Sequence, residues 1–192
     1  PAFQMGDTDL VFTGEFREQS KDLFDLLRKH QVMLILTGHL HSQTIVEEDG
    51  MYEIVSAMPL SGMHLMGCIR WDGSSLLYQA DPLDLERYGE ASFVQALREK
   101  EEKAALGQRE AMADVIARMD YTKEEQEQIL DRMFLFLQYY AEGILASHAD
   151  ELKNDEATSR MIDALWDKNY GPWMSSLLED PPMDSTHLEI QP

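Results

Sequence analysis

Val32-Met33-Leu34-Ile35-Leu36-Thr37-Gly38-His39-Leu40-His41 decides how this chain is read. Val32 to Leu36 is a short unbroken apolar run, as expected of a strand buried on both faces. Leading into it, Phe16 to His30 carries Phe16, Leu23, Phe24, Leu26 and Leu27 on a roughly helical period. A helix feeding a buried strand is an α/β signature. The two imidazoles then fall at the C-terminal end of that strand, where open α/β sheets place their ligand sites. Residues at i and i+2 point the same way at a strand end, so His39 and His41 can reach into one cleft. Gly38 removes a side chain that would crowd an approaching metal or phosphate. Neutral imidazole suits Zn, Fe, Mn and similar ions. The plain alternative is a loop histidine pair with no metal; the strand before it and the strands after it favour the ligand reading.

Working outward, Gln43 to Glu47, Met51 to Ala57 and Leu65 to Trp71 read as strands, and an Asp72-Gly73 hairpin turn leads into Ser75 to Ala80. Between Asp84 and Ala91 the pattern changes from strand-like to helix-like. Residues 1–84 and 91–192 are therefore expected as two domains, the second helical, giving an α+β chain. Ser92-Phe93-Val94-Gln95 reads as a capping box opening a long polar helix to about Met119, with Gly107 as its weak point. Thr122-Lys123-Glu124-Glu125 reads as a second box, followed by Ile129, Met133, Phe136, Leu137, Tyr140 and Ile144 at helical spacing. A third helix is expected from Asp155 to Lys168, with Met161, Ile162, Leu165 and Trp166 inward and Gly171-Pro172 as its stop. A short helix around Trp173 to Leu178 and an extended tail through His187 to Ile190 complete the chain.

Helix, apolar strand and then Thr37-Gly38-His39-Leu40-His41 resemble the last metal-binding motif of the calcineurin-like metallophosphoesterases. The resemblance implies that residues 1–84 are the C-terminal portion of an α/β metallophosphoesterase sandwich. It further implies a two-metal site, of Mn, Fe or Zn in divalent or trivalent form, with His39 on one ion and His41 on the other, both as ligands rather than acid–base groups. The family's earlier motifs, Asp-x-His, Gly-Asp-x-x-Asp, Gly-Asn-His and a lone His, should precede this one. The two asparagines, Asn154 and Asn169, stand in no Gly-Asn-His context. Gly6-Asp7-Thr8-Asp9-Leu10 has Leu10 where the second Asp belongs, and it lies too close to Gly38. Two histidines cannot hold two ions tightly, so the chain is expected to be part of a longer enzyme, cut upstream of Pro1, with little turnover of its own.

The helical part, including the ending Pro181-Pro182-Met183-Asp184 to Ile190, resembles more loosely the C-terminal domain of bacterial phosphoesterases of the cyclic nucleotide phosphodiesterase type. That tilts the implied substrate towards a phosphodiester such as a 3′,5′-cyclic nucleotide. A function of a different class is an interaction or oligomerisation module with a vestigial metal motif. Sheet edges and apolar strand faces uncovered upstream lead to the expectation that the chain self-associates.

Composition excludes several partners. The 192 residues carry 36 acidic against 16 basic side chains, a net charge of −20. That argues against a polymeric nucleic-acid surface and against an anionic membrane surface, both of which need clustered Lys and Arg. No apolar run reaches the ~20 residues of a spanning helix, so the chain reads as soluble, with bacterial cytoplasm and cell envelope both open. The single Cys68 excludes an internal disulfide and reads as a buried strand residue. His64, beside Gly62 and Met63, is first a partly buried loop histidine and second a residue lining the substrate cleft together with Gly38. His30 reads as a favourable helix C-terminal charge, and His148 and His187 as surface residues. Tyr139, Tyr140, Trp166, Trp173 and the methionines at helical spacing read as packing rather than base-stacking groups.

Overall fold

The computed structural model describes residues 15–38, 41–60, 62–168 and 170–191. Its elements run α1 (Glu15–Lys29), β1 (Leu34–Thr37), β2 (Thr44–Glu48), β3 (Met51–Val55), β4 (Leu65–Trp71), β5 (Leu76–Pro82), α2 (Leu85–Tyr88), α3 (Ala91–Ile116), α4 (Lys123–Glu142), α5 (Leu145–Lys153), α6 (Glu156–Ala164), α7 (Tyr170–Glu179) and β6 (His187–Ile190). A 3-10 turn at Trp166–Lys168 joins α6 to α7. The chain is mixed α+β, with two three-stranded sheets among the described residues.

The first sheet has the order β1-β3-β2, with β1 parallel and β2 antiparallel to β3. Alternation along the strands gives it two apolar faces. Phe24 and Leu27 of α1 pack with Met51, Ile35 and Val46 on one face. On the other, Ile45 and Ile54 meet Tyr78, Ala80, Leu188 and Ile190 of the second sheet, ordered β4-β5-β6. The layers are helix, sheet, sheet. Each of the fully buried residues Ile45 and Ile54 contributes about 1.5–3 kcal/mol through the apolar area it hides from water. The tail strand β6 pairs antiparallel with β5, Leu188 opposite Tyr78, so it lies in a sheet begun by residues 65–82.

Several local expectations are corrected. Strand β1 is not buried on both faces: it is an edge strand among the described residues, and Leu36 is 57% exposed. Leu23 and Leu26 of α1 are exposed, because the narrow sheet beneath covers only the Phe24–Leu27 stripe. Cys68 is half-buried, on β4, an edge strand among the described residues. The two-residue hairpin turn is Asp49-Gly50, whose φ angles of 54° and 77° suit a type I′ turn between the paired Glu48 and Met51. At Asp72-Gly73 the loop spans four residues, and only Gly73 has positive φ, at 100°. There the Asp72 Oδ1 accepts the N–H groups of Ser74 and Ser75 at 2.8 and 2.7 Å, so a side chain organises the turn.

In the helical part, the Thr122 box forms: Thr122 Oγ1 accepts the Glu125 N–H at 3.3 Å, and the Glu125 carboxylate accepts the Thr122 N–H at 2.8 Å. Ile129, Met133, Phe136 and Tyr140 of α4 are buried against Leu145, Leu152, Met161, Leu165, Trp173 and Leu177 from α5, α6, the turn after it and α7. Ser92 does not cap α3. Helix α2 stops at Gly89 and the next one begins at Ala91, with Val94 N–H donating to the Glu90 carbonyl, so Ser92 falls inside the first turn. Gly107 does not break α3, since one helical glycine costs only ~1 kcal/mol. Gly171-Pro172 lies in the first turn of α7, where proline's missing N–H goes unused. The preceding helix ends at Ala164, which leaves Trp166 51% exposed rather than inward. Helix α5, carrying His148, was not expected.

Candidate functional site

The parallel pairing of β1 with β3, Thr37 beside Val55, brings the C-terminal ends of both strands to one edge of the first sheet. The start of β2 lies there too, Thr44 opposite Val55, so Gly38, residues 41–43 and Ser56 adjoin that edge. The Thr37 hydroxyl donates to the fully buried Glu53 carboxylate at 2.6 Å, which ties the last residue of β1 to the central strand.

Gly38 follows directly. Its φ is not positive, and a Cβ built there meets no atom of the described residues within 4 Å. His39 lies outside the described residues, as does the Gly6 to Leu10 segment. His41 is exposed with φ of 56°. Among the described residues four non-glycines have positive φ, and His41 and His64, at 52°, are two of them. Side chains seldom adopt that conformation, and it concentrates at functional loops.

His41 forms part of the wall of a pocket of about 180 Å³. Ala57, Met63 and Leu65 from the β3–β4 segment form another wall. The third comes from the end of α4, through Gln138, Ala141 and Glu142. Glu142 is buried and accepts a hydrogen bond from Gln138 Nε2 at 2.8 Å. The His64 ring is held by the Pro59 carbonyl, 3.1 Å from Nδ1, and by Glu101 of α3, 3.4 Å from Nε2. Glu101 also accepts the Gly62 N–H at 3.1 Å, so α3 holds the loop bordering the pocket.

A buried polar junction sets the helix against the loop. Gln43 N–H donates to the Ala141 carbonyl at 2.9 Å, and its side-chain amide donates to Tyr78 Oη at 2.9 Å and to the Ser185 carbonyl at 2.7 Å. Ser185 N–H donates to the Gly143 carbonyl at 3.0 Å, and Ser185 Oγ accepts the Ile45 N–H at 2.8 Å. Loop, sheet, helix end and tail therefore meet at Gln43 and Ser185.

Burial pushes the Tyr78 phenol above its ordinary value, opposed by the hydrogen bond with Gln43. Tyr140 is pushed up the same way, opposed by Ser42. With folded values above the unfolded 10.0, the native state keeps protons that the unfolded chain releases. Their contribution is complete below about pH 10 and falls as pH rises through the folded values. Urea midpoints measured from pH 8 to 11 are expected to drop beyond about pH 10, and Tyr140→Phe should flatten the drop. An unchanged slope would show that Tyr140 ionises freely in the folded state.

Of the residues singled out in sequence, the fold brings His41 to the pocket wall and His64 beside it. Gln138, Glu142, Gln43 and Ser185 were not anticipated. The i, i+4 spacing of Gln138 and Glu142 shows a shared helix face, but no local pattern points that face at the histidine loop. Among the described residues no group of three or more His, Cys, Asp or Glu side chains is placed to hold a metal ion. No helix among them is long and apolar enough to cross a membrane.

Fold and site together define a mixed α+β protein with a pocket of about 180 Å³ at the C-terminal edge of a small sheet. Compared with known proteins, the chain matches no family model, no curated protein and no solved structure.

Proposed function

We propose that this chain is the C-terminal part of a two-metal phosphohydrolase of the calcineurin-like metallophosphoesterase kind, a phosphodiesterase acting on a cyclic nucleotide or similar phosphodiester. The observation that supports the reading is that His41, exposed and shortly after the C-terminal end of a parallel strand, lines a pocket. The packing of two sheets under a helix is compatible with part of an α/β sandwich.

The donor set fits in part. His39 and His41 would each give one imidazole, and the remaining ligands would come from the part of the enzyme upstream of Pro1. Bound there, Mn, Fe or Zn would polarise the phosphoryl oxygens and activate a water for in-line attack. This chain's own residues hold and orient: Thr37 and Glu53 anchor the strand end from which Gly38 follows.

Hydrolysis of bis-(p-nitrophenyl) phosphate by the full-length protein with Mn²⁺ tests the proposal. His39→Ala and His41→Ala are each expected to lower kcat/KM at least 100-fold, the scale of losing a metal ligand's support. Activity indifferent to both substitutions would end it. The chain alone should show little or no turnover, and robust metal-dependent hydrolysis by it would mean that the missing ligands had been misjudged.

A second reading, an interaction or oligomerisation module, is favoured by one observation. Among the described residues β1 and β4 are edge strands, and they present Leu36 at 57% and Trp71 at 59% exposure. Light scattering across a hundred-fold concentration range decides: a clean monomer throughout contradicts self-association, and a dimer that Leu36→Lys dissolves supports it.

A further inference from the structure

Both nitrogens of the His64 ring face acceptors. Nδ1 lies 3.1 Å from the Pro59 carbonyl oxygen, and Nε2 lies 3.4 Å from Oε2 of Glu101 on α3. A carbonyl and an ionised carboxylate only accept, whereas a neutral imidazole has one N–H and one bare lone pair. Neutral His64 can therefore satisfy one of the two oxygens, and the other meets a lone pair. The imidazolium, with an N–H on each nitrogen, satisfies both at once. Side-chain exposure is 16% at His64 and 27% at Glu101, so solvent and salt screen this pair less than one on the open surface. Among the described residues Glu101 is the charged group at ion-pair distance from the ring. His41 and Glu142 line the neighbouring pocket from its other walls.

The same carboxylate holds part of that pocket. Gly62 N–H donates to Glu101 Oε1 at 3.1 Å, and Gly62 and Met63 both line the pocket. Gly62 and His64 have positive φ, 62° and 52°. At His64 this is a backbone state that side chains seldom adopt and that surrounding contacts must hold. The His64 carbonyl is fixed separately, accepting the Leu83 N–H at 2.9 Å. What the ring and Glu101 control is therefore the wall just before it, at Gly62 and Met63.

We infer that His64 and Glu101 form a proton-operated latch on the pocket. With both ring nitrogens protonated, His64 ties Pro59 to Glu101 and the Gly62–Met63 wall is held against α3. Loss of one ring proton leaves a lone pair against an oxygen, and the wall is released. Imidazole is the side chain whose charge ordinarily changes between pH 5 and 8. The helical part thereby governs access to a pocket built largely on the first part, whatever ligand or metal the pocket takes.

Methyl NMR on this chain, ¹³C-labelled at the methionine and leucine methyl groups, reads the latch directly. Between pH 5 and 8 the Met63 signal is expected to shift in one step, with the same midpoint as the His64 ring protons. A soluble nitroxide should broaden the methyl signals of Leu65, buried in the pocket wall, more strongly above that step than below it. Both responses should be lost in His64→Asn, since asparagine tolerates the left-handed backbone but takes up no proton. They should be lost equally in Glu101→Gln, which leaves an acceptor for Gly62 and removes the charge facing the ring. His41→Asn should keep them. A Met63 signal that stays flat, a step that persists in His64→Asn or in Glu101→Gln, a step that vanishes in His41→Asn, or equal broadening of Leu65 on both sides of the step would each overturn the latch.

Discussion

Phe136→Ala is expected to lower the stability of the fold by about 4 kcal/mol, within the range for truncating a fully buried aromatic ring. Phe136 is fully buried, midway along α4, and meets Trp173 edge-on with ring centroids 6.2 Å apart and planes 67° apart. Trp173 in turn takes Tyr140 edge-on at 5.2 Å, so one ring of α7 is gripped by two of α4. Deleting the phenyl group removes its transfer free energy and leaves a cavity walled by several helices, which cannot all close on it at once. In a chain of this length the loss corresponds to a fall in Tm on the order of 10 °C. Urea unfolding followed by circular dichroism measures it, with Phe136→Leu as the comparison that keeps most of the volume and costs about 1.5 kcal/mol. A loss under about 1 kcal/mol for the alanine variant would contradict the packing of α4 on α7.

Gly143→Ala should cost about 3 kcal/mol. Helix α4 ends here in the left-handed conformation, φ 75° and ψ 18°, with the Ile144 N–H bonded back to the Tyr139 carbonyl. Placing a Cβ in that conformation costs about 1–2 kcal/mol by itself. The remainder comes from space. A Cβ at Gly143 would stand 2.8 Å from the Gln43 carbonyl oxygen and 2.9 Å from Ser185 Cβ, atoms held by the junction of loop and tail. Gly143→Asn separates the two causes, because asparagine tolerates the left-handed region better than alanine but has the same Cβ. If crowding contributes as described, Asn recovers little of the loss in Tm; full recovery would show that backbone conformation alone is at stake. Either variant should also disturb the pocket, since Ala141 and Glu142 precede the glycine.

Local chemistry was legible wherever a short segment satisfies itself. Thr122 and Glu125 exchange hydrogen bonds within one turn, so the start of α4 follows from four residues. The bounds of β4, Leu65–Trp71, follow from an apolar run and the turn after it. Burial was less legible. The apolar run at β1 resembles an inner strand because periodicity records what a strand can bury and not whether a neighbour is there to cover it. Ser92 illustrates another limit: a capping residue is usable only if the preceding chain enters at the right point, and the stop of α2 at Gly89 moved the entry to Ala91.

By itself the sequence determined the order and kind of most elements and put Gly38 and His41 at the end of a strand, because hydrogen bonds within a helix and alternation along a strand are short-range properties. Only the tertiary structure decided that the polar end of α4 meets that loop, that Gln43 and Ser185 bind sheet, helix and tail together, and that His187–Ile190 becomes the third strand of a sheet begun at Leu65. Those contacts join distant segments through loop closure and shape complementarity, which leave no period in the chain to be read. The pocket beside His41 exists only where those distant segments come together.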